Sequence, residues 1–286
     1  MKKIIALLCL IISIQQLSAQ PADKVLWYRQ PAKVFEESLV LGNGTQGASV
    51  FGGITTEKIY LNDATLWSGE PVNNKAYEGI YKNLTAVREA LGKEDYPGAQ
   101  ELVKKLQGKY SQSYMALGTL YLELKNDTVV SQYQRSLNLD NAISSVTYQS
   151  KGIQFKRTYF VSHPDKIFVI HLTASKKSAL NFNLFFRSVL HYAVSAEKNT
   201  LIAKGYAPYQ QNASVGGIPG DIFYDSTRGI HFNTQIKVKL IDGKQQTTDS
   251  SLQISNATEA IIYVSMATSF NGFDKDPVNK ASLTIA

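Results

Sequence analysis

Acidic residues beside predicted turns are the side chains of this sequence that could carry acid–base chemistry. Such chemistry commonly uses two carboxyl groups, one that donates a proton and one that accepts a proton or attacks as a nucleophile. Asp and Glu are also common in turns and on surfaces, and spacing sets no two of these residues apart as a pair. We therefore expect each of them to serve a turn or the surface: Glu36, Glu37, Asp63, Glu70, Asp221 and Asp225.

Other kinds of chemistry have less support in the sequence. The chain has no GxSxG motif, and its one cysteine, Cys9, lies in the N-terminal apolar run. The glycines Gly42, Gly44 and Gly47 lack the strand–GxGxxG–helix context of a dinucleotide site. We predict no cofactor and no metal site, because none of the histidines shows HxH or HExxH spacing: His163, His171, His191 and His231.

A glycine-rich stretch over residues 39–69 is the most specific part of the sequence. Asn-Gly steps tolerate positive φ, so Gly42-Asn43-Gly44 predicts a tight turn. Short strands are predicted at 48–51 and 58–61, and Trp67 follows before the turn signal Ser68-Gly69. The pattern LGNGxxGAxVFGG, with LNxxTLWSG after it, resembles the N-terminal signature of glycoside hydrolase family 95, the α-L-fucosidase family.

Three further stretches carry the same resemblance, which covers roughly residues 24–280. They are QSYMALGTLYL at 112–122, YQRSLNLD at 133–140 and GFDKDP at 272–277. One departure is visible, because the family usually has Glu at the position of Asp63. Asp is one methylene shorter, which puts any contact of that carboxylate with a substrate in question.

The resemblance implies a division of labour between two domains. It implies a large N-terminal β-sandwich that packs on a separate α/α-barrel, which supplies the acid and the amide-assisted base of an inverting mechanism. Glycoside hydrolysis normally needs two such groups, and none of the barrel motifs occurs here. The resemblance therefore predicts no catalytic residue in this chain. The implied partners are the barrel domain of the same polypeptide and a fucosylated oligosaccharide or polysaccharide, with L-galactose as an alternative to L-fucose.

Four residues of the signature stretch are candidates for contact with a substrate or with the neighbouring domain. Amide and carboxylate groups can hydrogen bond to sugar hydroxyls, and an indole ring can stack on a sugar or bury at an interface. The structural alternative is that the asparagines form turns and the tryptophan belongs to a core or interface. The candidates are Asn43, Asn62, Asp63 and Trp67.

Hydrophobic periodicity predicts an all-β fold, a large antiparallel two-sheet β-sandwich with a short helical insertion around 79–107. Residues 230–240 alternate apolar and polar side chains most clearly, and further strands are predicted at 153–161, 167–173, 181–186 and 260–266. Residues 23–40 predict an edge strand followed by a loop. Apolar residues at helical spacing predict two helices in the insertion, which Gly92 and Pro97 delimit.

The N-terminus has the layout of a secretory signal peptide over residues 1–19. Lys2-Lys3 precede an apolar run from Ile4 to Ile14 that is too short for a membrane anchor, and Ala19-Gln20 offers a cleavage point. We therefore predict export to the periplasm or the medium and no membrane contact after cleavage. Residues 20–280 would form the sandwich domain, and residues 281–286 would begin a linker to the barrel. The net charge of +7 is dispersed, so we predict no nucleic-acid partner.

Three functional hypotheses remain open at this point. The chain is the N-terminal domain of an exported fucosidase-like hydrolase, or a β-sandwich that binds carbohydrate without cleaving it, or a docking domain that contacts no sugar. Sugar binding by the chain alone favours the second hypothesis. A helical barrel encoded downstream favours the first or the third.

Overall fold

Two large antiparallel sheets make up most of the chain in the computed structural model, which describes residues 24–71, 78–107, 112–197, 199–212 and 220–277. The predicted signal peptide and the predicted linker lie outside these ranges. The prediction of an all-β sandwich is confirmed. The strands are β1 Val25–Tyr28, β2 Leu39–Gly42, β3 Gln46–Val50, β4 Thr56–Asp63, β5 Gly118–Leu124, β6 Ser131–Asn138, β7 Ile143–Ser150, β8 Ile153–Ser162, β9 Ile167–Ala174, β10 Leu180–Arg187, β11 His191–Glu197, β12 Thr200–Tyr206, β13 Gln210–Gln211, β14 Ile222–Phe223, β15 His231–Leu240, β16 Lys244–Thr247, β17 Ser251–Ala257 and β18 Glu259–Thr268.

Strand order divides these elements into two sheets and a small ribbon. The large sheet has nine strands in the order β1-β6-β7-β8-β9-β18-β15-β12-β11. The small sheet has seven strands in the order β16-β17-β10-β5-β4-β3-β2, and β13 pairs with β14 alone. Every pairing is antiparallel, as expected for strands connected by hairpins and short loops. The predicted edge strand at the start of the domain is confirmed, since β1 pairs only with β6.

The core lies between the inner faces of the two sheets, and β15 shows how the sequence builds it. Phe232 and Ile236 are fully buried, whereas Lys237 and Lys239 on the same strand face solvent. Side chains alternate across a strand, so this pattern buries one face against the other sheet. The inner face of the small sheet supplies matching apolar side chains, such as Ile59, and both sets belong to one continuous cluster.

A helical hairpin interrupts the strands between β4 and β5, at the position predicted for the insertion. Its helices are α1, Leu84–Gly92, and α2, Tyr96–Val103. The carboxylate of Asp95 caps α2 by accepting from the Gly98 N–H at 2.9 Å. Val87 and Ala99 are the buried residues of the two helices.

A buried ion pair links the two sheets. Glu57 on β4 and Arg157 on β8 approach within 3.2 Å, with side chains 0% and 2% exposed. The Glu57 carboxylate also accepts hydrogen bonds from the Tyr159 hydroxyl at 2.7 Å and the Gly52 N–H at 2.8 Å. Burial opposes the charge of Arg157, but Tyr159 and Glu57 favour it, and the net effect raises the pKa of Arg157. Burial also raises the pKa of Tyr159 well above its ordinary value, so this hydroxyl stays protonated and donates.

The two glycines between β3 and β4 are shaped by the same cluster. Arg157 Nη2 donates to the carbonyl of Gly53 at 2.5 Å, and the Tyr133 hydroxyl donates to that of Gly52 at 2.7 Å. A Cβ on Gly53 would lie 1.8 Å from the carbonyl oxygen of Thr56, which excludes any side chain there. The VFGG part of the signature stretch therefore serves the junction between the sheets.

Candidate functional site

One end of the sandwich, called the rim here, collects the loops that carry most of the candidate residues. We define the rim as residues 43–45, 64–71, 112–117, 207–212, 220–230 and 269–277. By strand pairing, β4 and β12 end at this end of the sandwich and β15 begins there. Hydrogen bonds connect the two sheets at this end, between strands from the Gln46 side chain to the Met266 carbonyl at 2.6 Å and between loops from the Gly69 N–H to the Pro208 carbonyl at 2.9 Å.

Trp67 projects from the rim with part of its ring in solvent. The side chain is 44% exposed, and its Nε1 donates to the carbonyl of Ala64 at 3.0 Å. The Tyr114 ring meets it edge to face, with the centroids 6.0 Å apart. Part of the Trp67 ring is therefore accessible, and its contact with a substrate or a second domain stays a prediction.

Asp63 holds the turn that presents Trp67. Its carboxylate accepts from the Thr65 N–H at 3.0 Å and the Thr65 hydroxyl at 2.6 Å, and only 7% of the residue is exposed. This arrangement is an Asx turn, in which a short carboxylate side chain closes on its own backbone. Burial and the charge of Asp63 together raise the pKa of Tyr114 to about 12, so Tyr114 is neutral at physiological pH.

The two candidate asparagines lie in different surroundings. Asn43 closes its own turn by accepting from the Gln46 N–H at 2.8 Å, and its amide donates to the Ser162 carbonyl of the large sheet at 3.0 Å. Asn62 is exposed on the outer face of the small sheet, opposite Gly47. The structure therefore brings Asn43, Asp63 and Trp67 to the rim and points Asn62 away from the core.

A pocket of about 140 Å³ opens beside Trp67. Its aromatic walls are Trp67, Phe270 and Phe273, and Glu70 and Lys275 add charged groups. The Glu70 carboxylate pairs with the guanidinium of Arg228, with 3.1 Å between Oε2 and Nε. Aromatic faces beside a fixed carboxylate could hold either a sugar ring or the side chains of a second domain.

Sequence reasoning missed Arg228, Phe270 and Ile230 as rim residues. Arg228 lies 3.7 Å from the centre of the Tyr209 ring, a contact that joins residues 19 positions apart. No local pattern predicts such a contact, because it depends on how the loops fold over the rim. Phe273 could have been identified from the sequence, since it lies in the GFDKDP stretch that carries the family resemblance.

Four of the six acidic residues considered in the sequence have side-chain contacts in the described part of the chain, and one of them, Glu37, accepts from the Lys33 N–H at 2.7 Å. Glu70 is paired with Arg228, Asp63 closes its own turn, and Asp225 accepts from the Thr227 N–H at 2.8 Å. The hydrogen bonds from Thr227 lower the pKa of Asp225. These carboxylates therefore stabilise turns and an ion pair, and their contacts do not set up an acid and a base around an open cleft.

Metal-ligating clusters and membrane-spanning helices are both absent from the described ranges. No group of three or more His, Asp, Glu or Cys side chains there could hold a metal ion. No helix there has the length and apolar character needed to cross a bilayer.

Comparison with known proteins places these features in a family. The sequence model described as the N-terminal domain of glycosyl hydrolase family 65 matches residues 26–272. Among curated proteins, the chain is 27% identical over 269 residues to alpha-L-fucosidase 2 of Arabidopsis thaliana, covering 89% of this chain and 31% of that protein. It is 28% identical over 161 residues to a probable alpha-fucosidase A of Aspergillus niger, covering 54% of this chain and 20% of that protein.

The chain therefore spans a third or less of the length of these relatives. The resemblance to N-terminal domains of α-L-fucosidases is confirmed. None of the three matched descriptions names glycoside hydrolase family 95, so the assignment to that family stays a prediction.

Proposed function

Because the chain belongs to the family of glycosyl hydrolase family 65 N-terminal domains, we propose that it is the non-catalytic N-terminal domain of an exported α-L-fucosidase-like enzyme. That enzyme would remove terminal L-fucose from oligosaccharides or polysaccharides by hydrolysis. The named relatives, which are fucosidases, support the substrate. An α-L-galactoside is the alternative substrate, because it differs from the fucoside only by a hydroxyl at carbon 6.

The exposed aromatic patch on the rim is the observation that carries this proposal. Trp67 and Phe270 are each 44% exposed and line one pocket with Phe273, which is 86% exposed. Clustered aromatic side chains at a surface mark contact sites, since leaving them in water is unfavourable. The patch lies just beyond the end of β18, where residues 270–277 line the pocket together with Trp67, so a domain that follows in the chain would begin beside it.

The division of labour follows from the chemistry of glycoside hydrolysis. Cleavage needs two groups that flank the scissile bond, and in the described part of the chain Asp63, Asp225 and Glu70 are engaged in turns and an ion pair. The relatives extend well beyond the region that this chain matches. We therefore propose that an α/α-barrel of the same polypeptide supplies the catalytic pair and packs on the rim.

Export is a separate part of the proposal. Lys2 and Lys3 followed by a short apolar run support a cleaved signal peptide and a mature chain that begins near Gln20. Mass spectrometry of the periplasmic or secreted fraction would measure the N-terminus. An intact Met1 on protein found in the cytoplasm would contradict export.

Fucose release by the full-length protein tests the proposed activity. The assay would compare an aryl α-L-fucoside, an aryl α-L-galactoside and an aryl β-D-galactoside as a control. We expect turnover of the α-L-fucoside above the other two. Turnover confined to the β-D-galactoside, or none with any of the three, would contradict a fucosidase.

Carbohydrate binding without cleavage is the second candidate function. The pocket beside Trp67 favours it, because aromatic walls with charged groups at the mouth also suit a sugar ring. A docking domain that contacts no sugar is the third. Saturable binding of a fucosylated oligosaccharide that Trp67→Ala abolishes would favour the second candidate over the third.

A further inference from the structure

A second groove lies at the β1 edge of the large sheet. It is open, has a volume of about 660 Å³, and is lined by Trp27, Arg29, Val130, Gln132, Tyr133 and Gln134. It shares no residue with the rim. Clefts that bind small ligands commonly measure roughly 300–1,000 Å³, so this groove is large enough for more than one sugar unit.

Trp27 has no core to pack against because of the register of β1. It lies opposite Ser136, while its neighbour Leu26 lies opposite the buried Leu137. Side chains alternate across the sheet, so Trp27 belongs to the outer face and is 53% exposed. The Arg29 guanidinium lies 5.4 Å from the centre of its ring, a distance at which a cation is attracted to the ring face. The ring is therefore held in place while half of it remains accessible.

The opposite wall is formed at an irregularity in β6. The pairing of β6 with β7 shifts register between Ser131 and Gln134, and Gln132 has a φ of 53°, in the left-handed region. Bulges turn side chains in new directions, and strained backbone of this kind is concentrated at ligand sites. In the described ranges, no hydrogen bond is found for the side-chain amides of Gln132 or Gln134. Each amide offers two donors and a carbonyl acceptor to a ligand.

The charge of the groove narrows the choice of ligand. Arg29 is the one charged residue in the lining, so a cationic ligand would find no carboxylate to pair with. An indole face attracts the partly positive C–H groups of an apolar ring, and amides can bind neighbouring hydroxyls. A pyranose presents both features, C–H groups on its faces and hydroxyls around its edge.

We propose that this groove binds a glycan chain, at a position separate from the rim. The binding would hold a polysaccharide on the domain and does not require that the domain takes part in cleavage. Trp27 would stack on one sugar unit, while Gln132 and Gln134 would hydrogen bond to hydroxyls of the same or the next unit. Pairing of the exposed β1 edge with a strand of another protein chain is the competing use of this surface.

The two tryptophans of the chain allow a direct test. Trp27 and Trp67 are the only ones, so Trp67→Phe leaves Trp27 as the one indole fluorophore. The experiment would titrate the 286-residue chain and this variant with 2′-fucosyllactose and with a fucose-containing polysaccharide, and follow tryptophan emission. We expect a saturable change in emission with Trp67→Phe and its loss with Trp27→Phe, which keeps a ring of similar shape and so keeps the fold.

Calorimetric titration with the same glycans would measure affinity without a fluorophore. We expect Trp27→Ala and Gln134→Ala each to weaken binding at least tenfold. Tyr81→Ala is the matched control, since it removes an aromatic ring that is 73% exposed but lies in the helical insertion. Unchanged affinity in both groove variants, or no binding of any glycan, would overturn the proposal. Self-association that Trp27→Ala abolishes, without glycan binding, would assign the surface to strand pairing.

The result of the glycan-binding experiment can be distinguished from the result of the fucosidase assay. Binding is measured on a chain that need not hydrolyse anything, so it does not depend on fucose release by the full-length protein. A full-length protein without fucosidase activity would contradict the proposed function and leave the glycan groove standing. A groove that binds no glycan would leave the proposed activity untouched.

Discussion

Glu57 and Arg157 are the residues whose chemistry and location are most at odds with a hydrophobic core. The pair is buried between the sheets, and two guanidinium nitrogens of Arg157, Nε and Nη1, find no hydrogen-bond partner among the described residues. Removing one partner of a buried pair leaves an uncompensated charge. We expect Glu57→Gln to lower the free energy of unfolding by roughly 3–5 kcal/mol, as measured by denaturant unfolding.

The matched control for this substitution is Glu101→Gln. Glu101 pairs with Lys104 on the surface at 2.6 Å, with side chains that are largely exposed. Surface ion pairs contribute little to stability because water already solvates both charges. If the two variants unfolded at the same denaturant concentration, the buried pair would not have the structural role assigned to it.

Trp67 yields the second prediction at the scale of single residues. A fully buried tryptophan or phenylalanine costs roughly 3–5 kcal/mol when truncated to alanine. Trp67 is 44% exposed and packs mainly against Tyr114, so we expect Trp67→Ala to cost less than about 2 kcal/mol in this chain.

Phe168→Ala is the reference for this comparison, because Phe168 is fully buried and should show the full cost. Denaturant unfolding of the two variants side by side gives both values. A loss for Trp67→Ala as large as that for Phe168→Ala would place Trp67 in the core and remove it from the proposed interface.

The turn between β3 and β4 gives a prediction at the scale of elements. A methyl group on Gly53 would lie 1.8 Å from the backbone oxygen of Thr56, so the turn must move. We expect Gly53→Ala to lower the free energy of unfolding by about 3 kcal/mol or more, as for other substitutions that overfill a packed site.

Gly92→Ala provides the contrast within the same chain. Gly92 ends α1, and a Cβ there would meet nothing within 4 Å. Alanine is favoured over glycine in helices, so this variant should be neutral or more stable by up to about 1 kcal/mol. Equal destabilisation by both substitutions would show that the clash at Gly53 is not what makes this glycine necessary.

Elements with regular alternation could be predicted from the sequence, and those that depend on distant contacts could not. The strand β15 was predictable because its second half alternates, with the exposed Lys237 between the buried Ile236 and Val238. The ribbon of β13 and β14 has only two residues in each strand, which is too short for a periodic signal. Gln210 pairs with Phe223, which lies 13 positions further along the chain.

The sequence could identify Trp67 as a residue of the candidate site, but it could not identify the residues that surround Trp67. Trp67 lies next to a strand end and a turn signal, which places it at a sheet edge. Arg228 and Phe270 reach the same rim from β-strand ends that are far away in sequence. The buried Arg157 was hidden for another reason, because a charged residue within an alternating strand is normally assigned to the solvent face.

At the scale of the whole molecule, the sandwich presents two surfaces with different chemistry. The rim combines exposed aromatic rings with an ion pair, and the groove at β1 combines one tryptophan with amides and a guanidinium. We assign the rim to contact with a catalytic domain and the groove to a glycan chain. Neither assignment requires that the sandwich itself breaks a glycosidic bond.

Release of fucose by the purified 286-residue chain is the measurement that tests this account most directly. The substrates are an aryl α-L-fucoside and a 2-linked fucosyl-oligosaccharide, with the full-length protein as the positive control and a blank preparation as the background. We expect release by the full-length protein and none above background by the 286-residue chain, because Asp63, Asp225 and Glu70 serve turns and an ion pair. Turnover by the 286-residue chain alone would contradict the account and place an active site within the sandwich.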